Sequence, residues 1–148
     1  MKKLLFIPLT IIFLISCSES TESELIPFNS KLFPQQWRLV AMTGSIANMP
    51  PITGRKMSWQ ESYTLNTNKT FVKSRDTNGN VSLATGTYTF LMLSDGTYLE
   101  LTYISENNLI GNCNSDLKEI LRLNDSQDKL TATWWACDGP GLFYERKQ

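Results

Sequence analysis

The most reactive side chains of this sequence belong to three cysteines, Cys17, Cys113 and Cys137. Cys137 lies in the segment ACDGPGLFYERK near the end of the chain. The sequence contains no histidine, so a Cys–His catalytic pair cannot form, and no lysine or arginine within five residues favours the thiolate of Cys137. Two cysteines without histidine are also too few ligands for an ordinary zinc site. We therefore expect no catalytic cysteine, no metal and no cofactor.

The acidic residues do not indicate an enzyme either. Residues 76–80 are rich in oxygen ligands, but they lack the spacing and the closing glutamate of an EF-hand loop. Glu100 and Glu119 could face a barrel lumen or the solvent, and the sequence places no pair of carboxylates at a catalytic separation. We therefore expect a protein that binds or contacts something, not an enzyme.

Cys17 ends a segment with the form of a secretory signal. Lys2 and Lys3 precede an apolar run of about a dozen residues, whereas a membrane span needs roughly twenty. The run ends in Leu14-Ile15-Ser16-Cys17, which resembles the lipobox of bacterial lipoproteins, where the cysteine after the cleavage site receives a diacylglycerol. The resemblance implies a lipoprotein signal peptide over residues 1–16, lipid attachment at Cys17 and localisation in the cell envelope, at the outer membrane.

The charge balance of the mature chain argues against nucleic acid as a partner. Removal of residues 1–16 takes two of the 14 basic residues and leaves 12 against 14 acidic ones, a net charge of −2. In residues 17–33, Cys17 is followed by SESTESEL, and the segment is expected to form an acidic tether. Glu19, Glu22 and Glu24 also resemble the export signals of surface lipoproteins of the Bacteroidetes. Residues 34–148 are long enough for one domain.

The remaining sequence has the pattern of an all-β protein. Aromatic, aliphatic and threonine residues alternate with polar ones between clusters of turn residues, and no long stretch repeats apolar residues at helical spacing. The pattern predicts eight strands at 36–41, 62–66, 70–75, 85–93, 97–104, 117–123, 129–135 and 141–147. Since no helix is available for a crossover, consecutive strands are expected to pair antiparallel.

The lengths of the connections predict a closed barrel. Connections 66–69, 94–96 and 124–128 are short, whereas 44–60, 76–84, 105–116 and 136–141 are longer. Alternate connections of an up-and-down meander lie at the same end, so we expect a turn end of tight turns and an open loop end of long loops. Eight such strands form a barrel just wide enough for side chains or one small ligand.

Trp37 at the start of the first strand and Arg146 in the last strand carry a resemblance to the lipocalin-like domains of bacterial lipoproteins of the Bacteroidetes. In lipocalins, a tryptophan of the first strand packs at the closed end and a basic residue of the last strand covers it. The resemblance implies an eight-stranded antiparallel up-and-down barrel over residues 34–148, with Trp37 and Arg146 at its floor. The first strand begins at the turn end and the last strand finishes there, so the connection lengths agree with the placement of Trp37 and Arg146 at the barrel floor.

Cys113 and Cys137 are predicted to form a disulfide. Both fall in connections assigned to the loop end, and only two strands separate them. A secreted protein is in a compartment where disulfides persist. The glycines and proline after Cys137 then serve as turn residues.

Two functions remain open at this point. The first is binding of a small apolar ligand by a monomeric, lipid-anchored barrel. The second is contact with a partner protein by a barrel whose interior is solid, because its large side chains could fill so small a lumen. Alternation predicts the inward-facing residues that would line a ligand site: Leu39, Phe71, Tyr88, Phe90, Leu101, Tyr103, Trp134 and Tyr144.

Overall fold

The protein is an all-β, eight-stranded antiparallel barrel, seen in a computed structural model that describes residues 24–25, 30–44 and 49–147. The barrel strands are β1 (Gln35–Met42), β2 (Gln60–Leu65), β3 (Thr70–Thr77), β4 (Asn80–Leu93), β5 (Gly96–Tyr103), β6 (Lys118–Leu123), β7 (Lys129–Ala132) and β8 (Leu142–Lys147). Each strand pairs with the next along the chain. The barrel is closed because β1 also pairs with β8. The predicted up-and-down architecture is therefore confirmed.

The core of the barrel follows the alternation of the sequence. Tyr63 and Leu65 of β2, Phe71 of β3 and Leu99 and Leu101 of β5 are completely buried, while their neighbours in each strand are partly or fully accessible. The rings of Phe71 and Tyr103 meet edge to face at 4.9 Å. At about 25 cal/mol for each Å² of apolar surface, burial of these side chains supplies the main stabilisation of the barrel.

Two of the predicted strands differ from the observed ones in a way that changes which side chains face inward. In β1, Leu39 pairs with Tyr144 and Ala41 with Phe143, so one extra residue of β1 forms a bulge. Uninterrupted alternation from Trp37 and Leu39 would turn Ala41 inward, but the bulge shifts the alternation so that Met42 is buried instead. The strand predicted to run to residue 135 ends at Ala132, because the backbone turns into a 3-10 helix, Trp134–Cys137.

The connection at residues 76–84, predicted to be a long loop, is a hairpin. β3 and β4 continue through it and are joined only by Asn78 and Gly79, which have φ angles of 55° and 88°. An Asn-Gly pair is well suited to such a two-residue turn, because both positions need positive φ. β4 is consequently the longest strand of the barrel.

The turn end of the barrel is filled by aromatic side chains and closed by an arginine. The guanidinium carbon of Arg146 lies 6.0 Å from the centre of the Trp37 ring, and the two residues are register partners in β8 and β1. Trp37 Nε1 donates to Gln35 Oε1 at 3.2 Å. The ring of Phe33, which precedes β1, stacks on Tyr88 at 5.8 Å.

Two short strands lie outside the barrel. Ile52–Thr53 pairs with Met42 and Ala41 of β1, and Glu24–Leu25 pairs with Met92 and Leu91 at the turn end of β4. The predicted signal segment and Cys17 lie outside the described residues. Within the part of the chain that the structure describes, no helix has the length and apolar character needed to cross a membrane.

Candidate functional site

The loop end of the barrel is covered, in contrast to the open end expected from the sequence. The connection between β5 and β6, residues 104–117 (the lid), folds inward, and the side chain of Leu109 is only 3% exposed. A disulfide joins Cys113 of the lid to Cys137 of the 3-10 helix, with an S–S distance of 2.04 Å and a Cα–Cα distance of 5.6 Å. The predicted disulfide is therefore confirmed, and it fastens the lid to the connection between β7 and β8.

Trp134 lies in this cover and not in the barrel wall. A methyl group placed on Gly139 would come within 2.5 Å of the indole of Trp134, and one on Gly111 within 2.9 Å. These two glycines therefore allow the backbone to pass directly against the indole ring. The consequence is a compact cover in which Trp134 packs between the lid and the segment after the disulfide.

A charged cluster lies beneath the lid, inside the barrel. Lys73 Nζ lies 3.2 Å from Glu61 Oε1 and 3.0 Å from Glu119 Oε2, and none of these three side chains is exposed. Glu61 comes from β2, Lys73 from β3 and Glu119 from β6. The Nζ of Lys73 also donates to the carbonyl oxygen of Leu109 at 2.6 Å, so the cluster holds the lid directly.

Three tyrosine hydroxyls complete the coordination of the two carboxylates. Tyr63 donates to Glu119 Oε1 at 3.0 Å, Tyr144 donates to Glu61 Oε1 at 2.6 Å, and Tyr103 donates to Glu119 Oε2. Burial, reinforced by the nearby carboxylates, raises the pKa of all three phenols above the ordinary value. These hydroxyls therefore remain neutral hydrogen-bond donors at any physiological pH.

Arg75 brings the cluster to neutrality and links it to the surface. Its guanidinium forms an ion pair with Glu61 and lies 4.6 Å above the ring of Trp59. It also donates to the carbonyl oxygen of Asn108 in the lid, at 3.3 Å. Together, Glu61, Lys73, Arg75 and Glu119 (the ion cluster) carry two negative and two positive charges that are paired with one another.

Comparison with protein-family models, with curated proteins and with solved structures finds no match to this chain. The function must therefore be argued from the arrangement of its own residues.

The residues predicted to line a ligand site do not form one continuous site. Leu39, Phe71, Leu101, Tyr103 and Tyr144 are buried in the barrel interior, packed against one another or against the ion cluster. Tyr88 is buried in the same core at its turn end, where its ring stacks on Phe33. Phe90 and Trp134 are only partly buried against this core, Phe90 near Phe33 and Trp134 in the cover.

The ion cluster was missing from the sequence-based prediction, although the alternation pattern contained the signal for it. Tyr63 and Leu65 face inward, and the same alternation places Glu61 inward. In the same way, the alternation that turns Phe71 inward also turns Lys73 inward, and the alternation through Leu121 turns Glu119 inward. A charged residue in phase with buried aromatic residues indicates either a misassigned strand or a buried ion pair, and here it is the latter.

Around the cover, several large apolar side chains are exposed to solvent. Val81 and Leu83 of β4 are 61% and 65% exposed, and Ile104 at the start of the lid is 76% exposed. Trp135, next to the buried face of Trp134, is exposed as well. A shallow depression of about 180 Å³ lies at the loop end, between residues 55–60 and the hairpin at Asn78 and Gly79, and another of about 240 Å³ lies on the wall formed by β1, β2 and β3. Both are smaller than the roughly 300 Å³ of ordinary ligand pockets.

Proposed function

We propose that this chain is a lipid-anchored cell-envelope protein that acts by contacting another protein with the loop end of a rigid, filled barrel. The observation that carries the proposal is the neutral ion cluster under the lid, at the place where a lipocalin-like ligand would sit. The carboxylates and cations of the cluster are paired with each other, with tyrosine hydroxyls or with lid carbonyls. This arrangement favours an interaction module over a container for a small apolar molecule.

An apolar ligand in the barrel would have to separate these charges. It would displace Leu109, whose carbonyl oxygen accepts from Lys73, and it would offer no replacement for that bond. Removing one partner from a buried ion pair typically costs about 3–5 kcal/mol. An apolar molecule has to offset that loss in addition to its own ordering cost, whereas a protein partner on the outer surface leaves the cluster intact.

The expected lipid anchor would place the turn end of the barrel towards the membrane. Glu24 pairs with Met92, which lies at the turn end of β4. Cys17 precedes Glu24 by seven positions, and seven extended residues reach at most about 25 Å. The loop end, with its exposed apolar side chains, then points away from the bilayer, where a partner can approach it.

The anchor is tested by metabolic labelling with a palmitate analogue. We expect the wild-type chain to be labelled and Cys17→Ala to lose the label, because the thiol of Cys17 is the proposed acceptor. Equal labelling of the two proteins would contradict the anchor. A Cys113→Ala, Cys137→Ala double variant is the matched control, and it should retain the label.

The filled barrel is tested by native mass spectrometry of protein purified from its own cell envelope. We expect the same mass under native and denaturing conditions, since nothing small is held non-covalently. A native mass higher than the denatured mass by one discrete small molecule would overturn the interaction role and support the small-ligand alternative.

The contact surface is tested by a photo-crosslinking amino acid placed at Trp135 or at Ile104 in intact cells. Both positions are exposed at the loop end, and discrete protein adducts are expected there. Glu145, exposed near the turn end, is the control position. Adducts at Glu145 but at neither of the loop-end positions would contradict the proposed orientation of the contact.

A further inference from the structure

The strand β4 projects beyond its neighbour β3 at the turn end of the barrel. Pairing with β3 ends at Thr87, and the amide of Tyr88 donates to the carbonyl oxygen of Lys69 in the turn before β3. β4 then continues to Leu93, where it turns into β5. At about 3.4 Å per residue, residues 88–93 (the projecting segment) extend roughly 20 Å past the paired part of β3.

The projecting segment is apolar on both of its faces. Residues 90–93 read FLML, whereas a half-buried strand alternates apolar with polar residues. Met92 is in phase with Tyr88 of the core, but it is 44% exposed, and Leu93 in the opposite phase is 40% exposed. A run of apolar residues that stays exposed on both faces indicates a contact with something outside the chain.

Two neighbouring side chains extend this apolar surface. Leu32, which directly precedes Phe33 at the turn end, is 53% exposed. Tyr98 of β5 lies opposite Leu91, and its hydroxyl donates to Asp95 Oδ2 at 2.8 Å, so its ring has an apolar body and a polar tip. Tyrosine side chains of this kind are enriched where the hydrocarbon of a bilayer meets water.

The backbone edge that β3 leaves open is partly covered by the tether. The short strand Glu24–Leu25 pairs with Met92 and Leu91 on the side of β4 that faces away from β5. Backbone groups close to lipid need hydrogen-bond partners, and at these two residues the chain supplies the partners itself.

The position of the tether determines which end of the barrel is held at the membrane. Cys17 precedes Glu24 by seven positions, which span at most about 25 Å. Val81, in the exposed apolar surface of the loop end, is eleven residues from Met92 along β4, roughly 37 Å. A chain anchored through Cys17 therefore keeps the projecting segment near the bilayer, whereas the loop end of an upright barrel lies beyond the reach of the tether.

We propose that the projecting segment and Leu32 insert into the interface of the phospholipid bilayer that carries the anchor. This inference rests on the proposed anchor and deepens it, because it makes the lipid surface a second partner that holds the barrel upright. Elements that lie in the interface bury their apolar side chains about 5–10 Å deep, at the boundary between headgroups and acyl chains.

The slant of the strands accounts for the polar residues of the turn. Strands of a barrel are tilted by about 35–45° from its axis, so the projecting segment meets the bilayer obliquely. Ser94 and Asp95 then stay among the headgroups while Met92 and Leu93 lie against the acyl chains. At headgroup level the carboxylate of Asp95 keeps its hydrogen bond from Tyr98, and its carbonyl oxygen keeps the bond from Arg122.

The contact is tested with a nitrobenzoxadiazole dye attached to Ser94→Cys in the mature, acylated protein. The protein is reconstituted into vesicles of phosphatidylethanolamine and phosphatidylglycerol in which a fraction of the lipids carries a nitroxide quencher on the headgroup. The introduced thiol is the free one, because Cys113 and Cys137 are bonded to each other and Cys17 carries the acyl group. We expect the dye to lose most of its emission.

Ser82→Cys is the matched control, because it is the same substitution at an exposed position of the same strand, about 40 Å away at the loop end. A dye at this position should keep its emission. Raising the ionic strength to about 1 M should leave the quenching at residue 94 unchanged, since burial of apolar side chains is not screened by salt.

A second pair of variants tests the apolar side chains themselves. Adding Met92→Glu and Leu93→Glu to Ser94→Cys should restore the emission, because two carboxylates resist transfer into the interface. Val81→Glu with Leu83→Glu, on the same strand at the loop end, should leave the dye quenched. All four positions are exposed, so circular dichroism should show the native barrel in both variants.

Equal quenching at residues 94 and 82 would overturn the inference, because the barrel would then lie flat on the bilayer. Unchanged emission at both positions would overturn it too, and so would quenching at residue 94 that survives Met92→Glu with Leu93→Glu or disappears at high salt. The proposed function fails by separate results, namely equal palmitate labelling of the wild type and Cys17→Ala, or the absence of adducts at Trp135 and Ile104.

Discussion

Lys73 is the residue on which the interior of the barrel most depends. Its ammonium group contacts both buried carboxylates, the carbonyl of Leu109 and, at 5.0 Å, the face of the Tyr63 ring. Within the described ranges, Trp59 Nε1 is the buried side-chain polar atom left without a hydrogen-bond partner. The ion cluster is thus satisfied internally, which explains how so much charge is tolerated inside so small a barrel.

Lys73→Met is expected to destabilise the protein by about 3–5 kcal/mol, because it leaves Glu61 and Glu119 buried with Arg75 as their remaining cation. The measurement is the free energy of unfolding from a urea titration at neutral pH. Lys118→Met is the control: its ion pair with Glu100 is at the surface and contributes about 0–1 kcal/mol. Equal losses in the two variants would mean that the cluster has no special role in stability.

At the scale of elements, the lid is the segment that converts an open barrel into a covered one. It has no regular secondary structure among residues 104–117. Its position depends on the bonds from Lys73 and Arg75, on the packing of Leu109 and Trp134, and on the disulfide. The disulfide spans 24 positions and therefore restricts a substantial loop of the unfolded chain.

Replacing both Cys113 and Cys137 by serine should lower the free energy of unfolding by about 3 kcal/mol, the chain-entropy value for a loop of this size. Amide hydrogen exchange should also accelerate at Leu109 more than at Leu121 in β6, since the lid loses its fastening while the barrel wall keeps its pairing. Uniform acceleration at both amides would show that the disulfide acts on global stability alone.

At the scale of the whole molecule, the five tyrosines act as reporters of the folded barrel. Each has a raised pKa. Burial is the main cause for Tyr63, Tyr103 and Tyr144, and it raises the pKa of Tyr88 to about 12. For Tyr98, the hydrogen bond to Asp95 is the main cause. The native barrel therefore disfavours the ionised form of all five tyrosines.

We expect the protein to lose stability as the pH rises above 10. The unfolded tyrosines ionise near pH 10, whereas the folded ones do so only at higher pH, so their contribution is complete below 10 and declines above it. Absorbance at 295 nm should rise in one cooperative step together with the loss of the circular dichroism of the barrel.

Tyr98→Phe is the control for this titration, because it removes the most exposed phenol and should leave the midpoint almost unchanged. Stepwise ionisation of several tyrosines near pH 10 in a protein that keeps its native circular dichroism would contradict the buried hydroxyl network.

The sequence by itself determined the strands, their antiparallel order and the pairing of Cys113 with Cys137. Alternation and turn residues are local signals, and in a meander the lengths of the connections assign each loop to an end. The same argument placed Trp37 and Arg146 at one end, where they are register partners. The hairpin at Asn78 and Gly79 was missed, although its turn residues are a strong signal.

Only the tertiary structure decided the arrangement of charged side chains inside the barrel, the cover over its loop end and the extent to which neighbouring strands pair. Glu61, Lys73 and Glu119 come from three strands, and only closure of the barrel brings them to one point. The lid covers the loop end because Lys73 and Arg75 donate hydrogen bonds to its carbonyl groups and the Cys113–Cys137 disulfide joins it to a distant segment. Among the described strands, Val81 and Leu83 have no partner on the β5 side because β4 extends beyond β5 at the loop end. This depends on the relative lengths of two neighbouring strands, which neither segment shows by itself. These features are non-local, since each depends on the relative position of segments whose sequences are independent.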